Sequence, residues 1–377
     1  MYQQVLFLSI SCSKGEDDII YCVNSSRASE LLHIDGSYGE GGGQILRTAL
    51  ALSCVLKQPV EIANIRKGRK KPGLQPQHLT AVKAAATISR AGVQGAELSS
   101  TALRFSPLEV SGGEYFFDVS EKKGSAGSTS LVLQTILLPL ALAEHSSQIT
   151  VLGGTHVPWS PPFHYLTQVF LPLLSRIGVT AKLDIEKWGW YPQGGGRVSA
   201  TVQPAKAFSP LKVIERGKLV RATGISAVSN LPEDIARRQR DQTVKRLSQK
   251  GIDAGFELLS APSPGKGTFL FLFVEFENII AGFGSLGAIG KRAEEVANEA
   301  CDEFLAYLEG DGALDPHLAD QIVPYLALAG GASSFTTTRI SKHLLTNIWV
   351  VKQFVDTDVR VEGEEGKPGR IEIRVNR

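Results

Sequence analysis

The sequence predicts an α+β protein of three repeated units, each with two helices packed on a β-sheet, and a smaller α/β domain inserted between the second unit and the third. Three observations predict it. Leu/Ala tetrapeptides at Ala49–Leu52, Leu140–Ala143 and Leu326–Ala329 each close an apolar helical pattern, begun at Gln44, Ser128 and Leu318. The same order of elements follows each one. The spacing then breaks: Leu50 to Leu140 is 90 positions and Leu140 to Leu326 is 186, an excess of 96.

After the first helix of each unit comes a β-type run, at Pro59–Ile65, Gln148–Leu152 and Ser334–Ile340. A second helix starts near Gln75, Phe163 and Ser341, and another strand pattern closes the unit, clearest at Val179–Ile185 and Val359–Val361. Two helices on one face of each sheet imply sheets outside and helices inside. The excess residues, Leu211 to about Leu308, carry a strand at Thr268–Phe276 and charged helices near Glu233–Lys250 and Lys291–Leu308. Pro204, Pro210 and the turn Gly310–Gly312 suit hinges. The expected division is therefore an extension over 1–30, a large domain over 31–210 and 311–377, and a small domain over 211–310.

A chain of 377 residues that is 43% hydrophobic can bury a sizeable core, and a net charge of +2 confines any nucleic-acid footprint to local patches. Cys12, Cys22, Cys54 and Cys301 lack metal-ligand spacing, which fits a reducing cytoplasm. No apolar run is long enough to cross a bilayer. Val5–Ile10 is apolar but has no basic segment before it and Gly15-Glu16-Asp17-Asp18 soon after, so residues 1–30 read as an extension rather than a secretory or lipoprotein signal ending at Cys12.

The richest chemistry lies at Asp35–Arg47, a glycine-rich turn between a strand and a helix. Glycine admits a ligand close to the backbone, and the free N–H groups at a helix start attract anions. Glu40 is a candidate ligand for a hard divalent cation, and Arg47 can fork onto phosphate oxygens. The spacing is neither that of the dinucleotide fingerprint nor that of the Walker A loop. Each second helix has a histidine near its start: His78, His164 and His343, the last with Ser341 as candidate N-cap. The positive end of a helix favours neutral, nucleophilic imidazole. For His164 a surface or capping role is preferred. The run Arg66, Lys67, Arg69, Lys70, Lys71 leads through a Pro/Gly turn into the helix bearing Gln77 and His78, aiming cations at a ligand. Gly124–Thr129 is a second glycine-rich helix start, opening the helix of Gln134.

Together these motifs resemble the RNA 3′-terminal phosphate cyclases. Carrying the resemblance are Asp35-Gly36 with Glu40–Arg47, Arg66-Lys67-Gly68-Arg69 with Pro72-Gly73-Leu74 and Gln77-His78, and Gly124–Ser128. Tyr191–Gly196, Ala319-Asp320-Gln321 and His343–Asn347 add to it, so that it extends from about Ile34 to the C-terminus.

The resemblance implies ATP-dependent conversion of an RNA 3′-phosphate to a 2′,3′-cyclic phosphate, with RNA and ATP as partners and Mg²⁺ or Mn²⁺ as cofactor. It implies that His343 attacks the α-phosphorus and that Glu40 binds the metal. Arg47 and Gln77 would hold phosphates, and Arg66, Arg69 and His78 the RNA end. Gln134, Pro161 and His317-Leu318-Ala319-Asp320-Gln321 would form the adenosine pocket, with Pro161 over one face of the base. His317 stands where the family often has tyrosine, a smaller and titratable stacking surface. The rival readings are a non-catalytic cyclase-like RNA-binding protein of ribosome assembly and a small-molecule enolpyruvyl transferase on a similar repeated scaffold. On the inserted domain, Arg237, Arg238, Arg240, Lys245 and Arg246 share one predicted helix that either tracks RNA phosphates or is a solvated face paired with its own acids.

Overall fold

In the computed structural model, which describes residues 30–119 and 126–375, the first unit runs β1 (Leu32–Asp35), α1 (Gly43–Leu56), β2 (Val60–Ala63), α2 (Pro76–Ser89), β3 (Gly92–Gln94) and β4 (Leu103–Ser106). Its sheet has the order β1-β2-β4-β3, parallel in the first pair and antiparallel in the other two. The second unit repeats this with β5 (Glu114–Asp118), α3 (Thr129–Ala141), β6 (Ser147–Gly153), a helix divided into α4 (Phe163–Tyr165), a π-helical turn (Leu166–Phe170) and α5 (Leu171–Arg176), then β7 (Thr180–Lys187) and β8 (Gly196–Gln203). The order β5-β6-β8-β7 and the strand senses match the first sheet.

After β9 (Lys212–Val213) the chain leaves the pattern and builds another sheet from β10 (Leu219–Ser229), α6 (Glu233–Ser248), β11 (Ala254–Ser260), β12 (Gly267–Phe276) and β13 (Ile280–Leu286), followed by α7 (Ala293–Glu309). It returns with α8 (Pro316–Leu326), β14 (Ala332–Thr337), α9 (Lys342–Phe354), β15 (Thr357–Glu362) and β16 (Gly369–Val375). β9 pairs parallel with β14, completing β9-β14-β16-β15, the order of the first two sheets. Lys212 and Val213 thus belong by hydrogen bonding to the third sheet, although sequence reading assigned them to the insertion. Two residues carry no visible periodicity. The expectations on Val5–Ile10, Cys12, Cys22, Gly124 and Ser125 lie outside the described residues.

The helices meet in the middle, as expected: α1 packs on α2, α3 and α9, and α8 packs on α9. Every residue of α3 is buried except Gln134, so a helix enclosed by its neighbours exposes a single polar position. Strands such as β8 alternate buried and outward residues, as sheets covered on one face do. Asp315, Ser128 and Ser341 cap α8, α3 and α9. The start of α1 has no side-chain cap.

Candidate active site

That uncapped helix start is the base of the site. Gly39 and Gly41 adopt φ of 57° and 58°, the left-handed region that favours glycine, and they fold the turn so that the first N–H groups of α1 stay open. Behind them, a Cβ on Gly43 would run into His78 Nε2 and would lie 2.9 Å from an Arg47 terminal nitrogen. The glycine therefore lets an imidazole and a guanidinium close on the helix start. Burial draws the Arg47 pKa down to about 10, opposed by Glu40 and Asp320.

Glu40 links three elements. Its carboxylate is ion-paired with Arg69 and its carbonyl accepts from Arg69 Nη2 at 3.0 Å. Its N–H donates to Thr346 Oγ1 of α9 at 3.2 Å, and its Oε1 stands 3.6 Å from His343 Nδ1. His343 is the second residue of α9, whose start is capped by Ser341 accepting from Leu344 N–H at 3.1 Å. Burial lowers the His343 pKa; Arg47, His317 and Arg69 push the same way and Glu40 resists.

His343 Nδ1 lies 2.5 Å from Gln44 Oε1. Gln44 donates to Asp320 Oδ1 at 3.4 Å, Asn347 Nδ2 donates to the Asp320 carbonyl at 2.7 Å, and Thr48 donates to Asn347 Oδ1 at 2.7 Å. Sequence reading gave Gln44, Thr346 and Asn347 only as parts of motifs, with no role at the site, and did not single out Thr48. Their signal was position: Gln44 lies one helical turn before Arg47, Thr48 one turn after Gln44, and Thr346 and Asn347 one turn after His343.

His78 and Gln75 close the start of α2 reciprocally, with His78 Nδ1 accepting from Gln75 N–H at 3.1 Å. Burial, reinforced by Arg47 and Arg66, lowers the His78 pKa to about 3. The ring is neutral, with its proton on the Nε2 that faces Gly43. Gln77 Oε1 accepts from Ser128 N–H at 3.5 Å, joining α2 to the start of α3. Arg66, at φ 54°, gives one terminal nitrogen to the carbonyls of Lys71 and Gly73 at 2.7 and 2.9 Å, so it staples its own basic loop.

On the other side of Asp320, Gln134 donates to Gln321 at 2.6 Å. Asp315 caps α8 through His317 N–H and Leu318 N–H and accepts from Tyr165 OH at 2.9 Å. His317 is exposed and meets Tyr165 edge-on at 6.5 Å. Leu318 and Ala319 are wholly buried in the core, which leaves only their backbone for a ligand. Burial and Asp315 push the Asp320 pKa well above the usual range, with Arg47 opposing. Pro161 is half-buried, two residues before α4.

Outside this cluster one expectation changes and one open alternative narrows. His164 is not a surface or capping residue: it is buried, its Nδ1 lies 3.0 Å from His156 Nε2, and Trp188 stacks on His156 at 3.9 Å. Phe269 and Phe271 of β12 flank the pair, so the second unit and the inserted sheet share it. The arginines of α6 have acidic partners: Arg237 with Asp234, Arg238 with Glu294, Arg240 with Asp241 and Arg246 with Asp302. That favours the solvated-face reading. Cys54 and Cys301 are buried and free, and burial pushes the Cys54 thiol up to about 12. No helix among the described residues is long and apolar enough to cross a membrane.

A helix-borne imidazole beside a carboxylate, with cations around an open helix start, is the equipment of an enzyme acting on phosphate groups. The family model of RNA 3′-terminal phosphate cyclase matches residues 38–361, and the chain belongs to that family. Curated relatives named RNA 3′-terminal phosphate cyclase include that of Methylococcus capsulatus, 47% identical over 92% of this chain and 97% of its own. The proteins of Nostoc punctiforme and Methanopyrus kandleri are 44% and 42% identical, covering 88% and 91% of this chain and 96% and 99% of theirs. A solved structure, the enolpyruvyl transferase NikO from Streptomyces tendae, overlaps at a TM-score of 0.34 and 11% identity, over 92% of this chain and 48% of that one. So distant a likeness carries no argument.

Proposed function

We propose that the chain converts the 3′-phosphate end of RNA to a 2′,3′-cyclic phosphodiester using ATP, through AMP held covalently on His343. The observation that carries this reading is the His343 imidazole, below its ordinary pKa, at the start of α9 beside Glu40 and opposite the uncapped start of α1.

A phosphate monoester has no good leaving group, and adenylation supplies one. His343 Nε2 attacks the α-phosphorus; the bond to the β-phosphate oxygen breaks and pyrophosphate departs. An oxygen of the RNA 3′-phosphate then attacks the same phosphorus, breaking the P–N bond and freeing the imidazole. The vicinal 2′-hydroxyl loses its proton and attacks the 3′-phosphorus, and AMP leaves. The last step gains from the fixed closeness of the hydroxyl. Arg47 and the open N–H groups of α1 would stabilise the anionic transition states, and His78 would offer Nε2–H to a phosphate oxygen. Arg69, Arg66 and Gln77 would hold the RNA end. Gln134, Gln321, Asp320, the backbone of Leu318 and Ala319, His317 and Pro161 would form the adenosine pocket.

Glu40 is the side chain that would hold Mg²⁺ or Mn²⁺, for which a hard carboxylate oxygen is suited. The described residues contain no group of three His, Cys, Asp or Glu placed for a metal, so substrate oxygens and water would complete the shell. A bound divalent cation would neutralise phosphate charge. We place the reaction in the cytoplasm, in keeping with the free thiols of Cys54 and Cys301.

The test is incubation of the protein and a His343→Ala variant with Mg²⁺ and ATP labelled at the α-phosphate. Acid-labile, alkali-stable label on the denatured wild-type chain alone is the expected result. Absence of label from both would move the chain to the non-catalytic RNA-binding reading.

A further inference from the structure

We infer that Gln44 is the positioning residue that sets the tautomer of His343, keeping the Nε2 lone pair free to attack. This rests on His343 being the nucleophile. An amide oxygen can only accept, so the 2.5 Å contact between Gln44 Oε1 and His343 Nδ1 requires the proton on Nδ1. A neutral imidazole carries one N–H, and Nε2 is then bare.

The inference depends on which way the Gln44 amide faces, and its other end decides that. Gln44 Nε2 faces Asp320 Oδ1 at 3.4 Å, an oxygen that accepts from the amide whether the carboxyl is ionised or holds its proton on Oδ2, and the amide oxygen is thereby turned to His343. Asp320 is itself fixed, through Asn347 Nδ2 on its carbonyl and Thr48 behind Asn347. Gln44 and Asp320 are each 7% exposed, which limits competition from water. The arrangement spans the repeats: Gln44 sits on α1 of the first unit, His343 on α9 of the third.

His78 shows that a histidine near a helix start can take the other tautomer when a different partner meets Nδ1. It occupies the corresponding helix of the first unit, yet its Nδ1 accepts from Gln75 N–H and its proton is on Nε2. Without Gln44, Nδ1 would keep only Glu40 Oε1 at 3.6 Å, beyond hydrogen-bond length, and the ring could take up the same form, in which the attacking atom is blocked.

The experiment is long-range ¹H–¹⁵N correlation NMR on ¹⁵N-histidine-labelled protein at about pH 8, where imidazole is neutral, with His343 assigned by its loss in His343→Ala. Wild type should show a protonated Nδ1 and a bare Nε2. Gln44→Met, similar in size but without an acceptor, should move toward protonated Nε2. Its self-adenylation rate should fall by about tenfold or more at an ATP KM changed less than about twofold, the mark of lost orientation rather than lost binding. Gln44→Glu, which retains an acceptor, should keep the Nδ1–H form. A wild-type spectrum with protonated Nε2, or a folded Gln44→Met with an unchanged spectrum, overturns the assignment. Failure of wild type to form the histidine–AMP bond would overturn the catalytic reading and leave the spectra to test Gln44 separately.

Discussion

Glu40 Oε1 and His343 Nδ1 lie 3.6 Å apart although they come from the first and third units, and the Glu40 carboxylate also bonds Arg69. One acid thus touches the proposed nucleophile and the basic loop, and a Glu40→Gln variant tests its duty. It should fold normally, since glutamine keeps the size of the side chain and the backbone bonds of this residue to Thr346 and Arg69. Self-adenylation should fall by about a hundredfold and respond less steeply to Mg²⁺, as expected for loss of a metal-holding carboxylate. A metal titration of the labelling rate checks both; an unchanged Mg²⁺ dependence would remove Glu40 from the metal site.

Gly43→Ala separates helix propensity from site geometry. Alanine is preferred to glycine within a helix by about 1 kcal/mol. Here its methyl would press on His78 and Arg47, and His78 is held by Gln75. The melting temperature should therefore change little while cyclisation falls by at least about tenfold. Thermal unfolding and cyclase assays on one preparation give the answer.

His317→Tyr should lower the ATP KM by a few-fold, since a larger ring on this exposed position offers more surface to the adenine. An unchanged KM would show that His317 does not stack on the base.

Acid should destabilise the protein through its buried histidines. Burial lowers the pKa of His78 to about 3, of His164 to about 4, and of His156 well below its usual 6.5. Below 6.5 the unfolded chain binds protons that the folded chain refuses, so this stability is complete above 6.5 and is lost as pH falls toward 4. Each such histidine should cost about 2 kcal/mol at pH 5. Urea midpoints at pH 7.5 and 5 measure the sum, and His164→Phe should flatten the dependence.

Charge reversal at Arg237 and Arg240 should leave RNA affinity and its salt slope unchanged, because both arginines pair with acids of their own helix. A slope reduced by about one per arginine would instead make α6 an RNA contact.

The repeats, the insertion, the glycine turn and the histidines at helix starts were legible because each is a local pattern: an apolar period, a spacing, a residue type suited to one conformation. β9 was not legible, since two residues become a strand only beside β14. Nor was His164, whose burial depends on β12 of the inserted sheet covering it.

By itself the sequence determined the α+β class and the threefold repeat, and it offered the residues that we propose to bind phosphate and to act as nucleophile. Only the tertiary structure decided which of them meet: Glu40 with Arg69 and His343, Gln44 with His343 and Asp320, Gln134 with Gln321. It also made two similar histidines differ, His78 by a backbone N–H of its own turn and His343 by an amide oxygen from another unit. The physical reason is that periodicity reports which face of an element is buried, whereas a hydrogen bond between side chains 299 positions apart exists only once the units have packed.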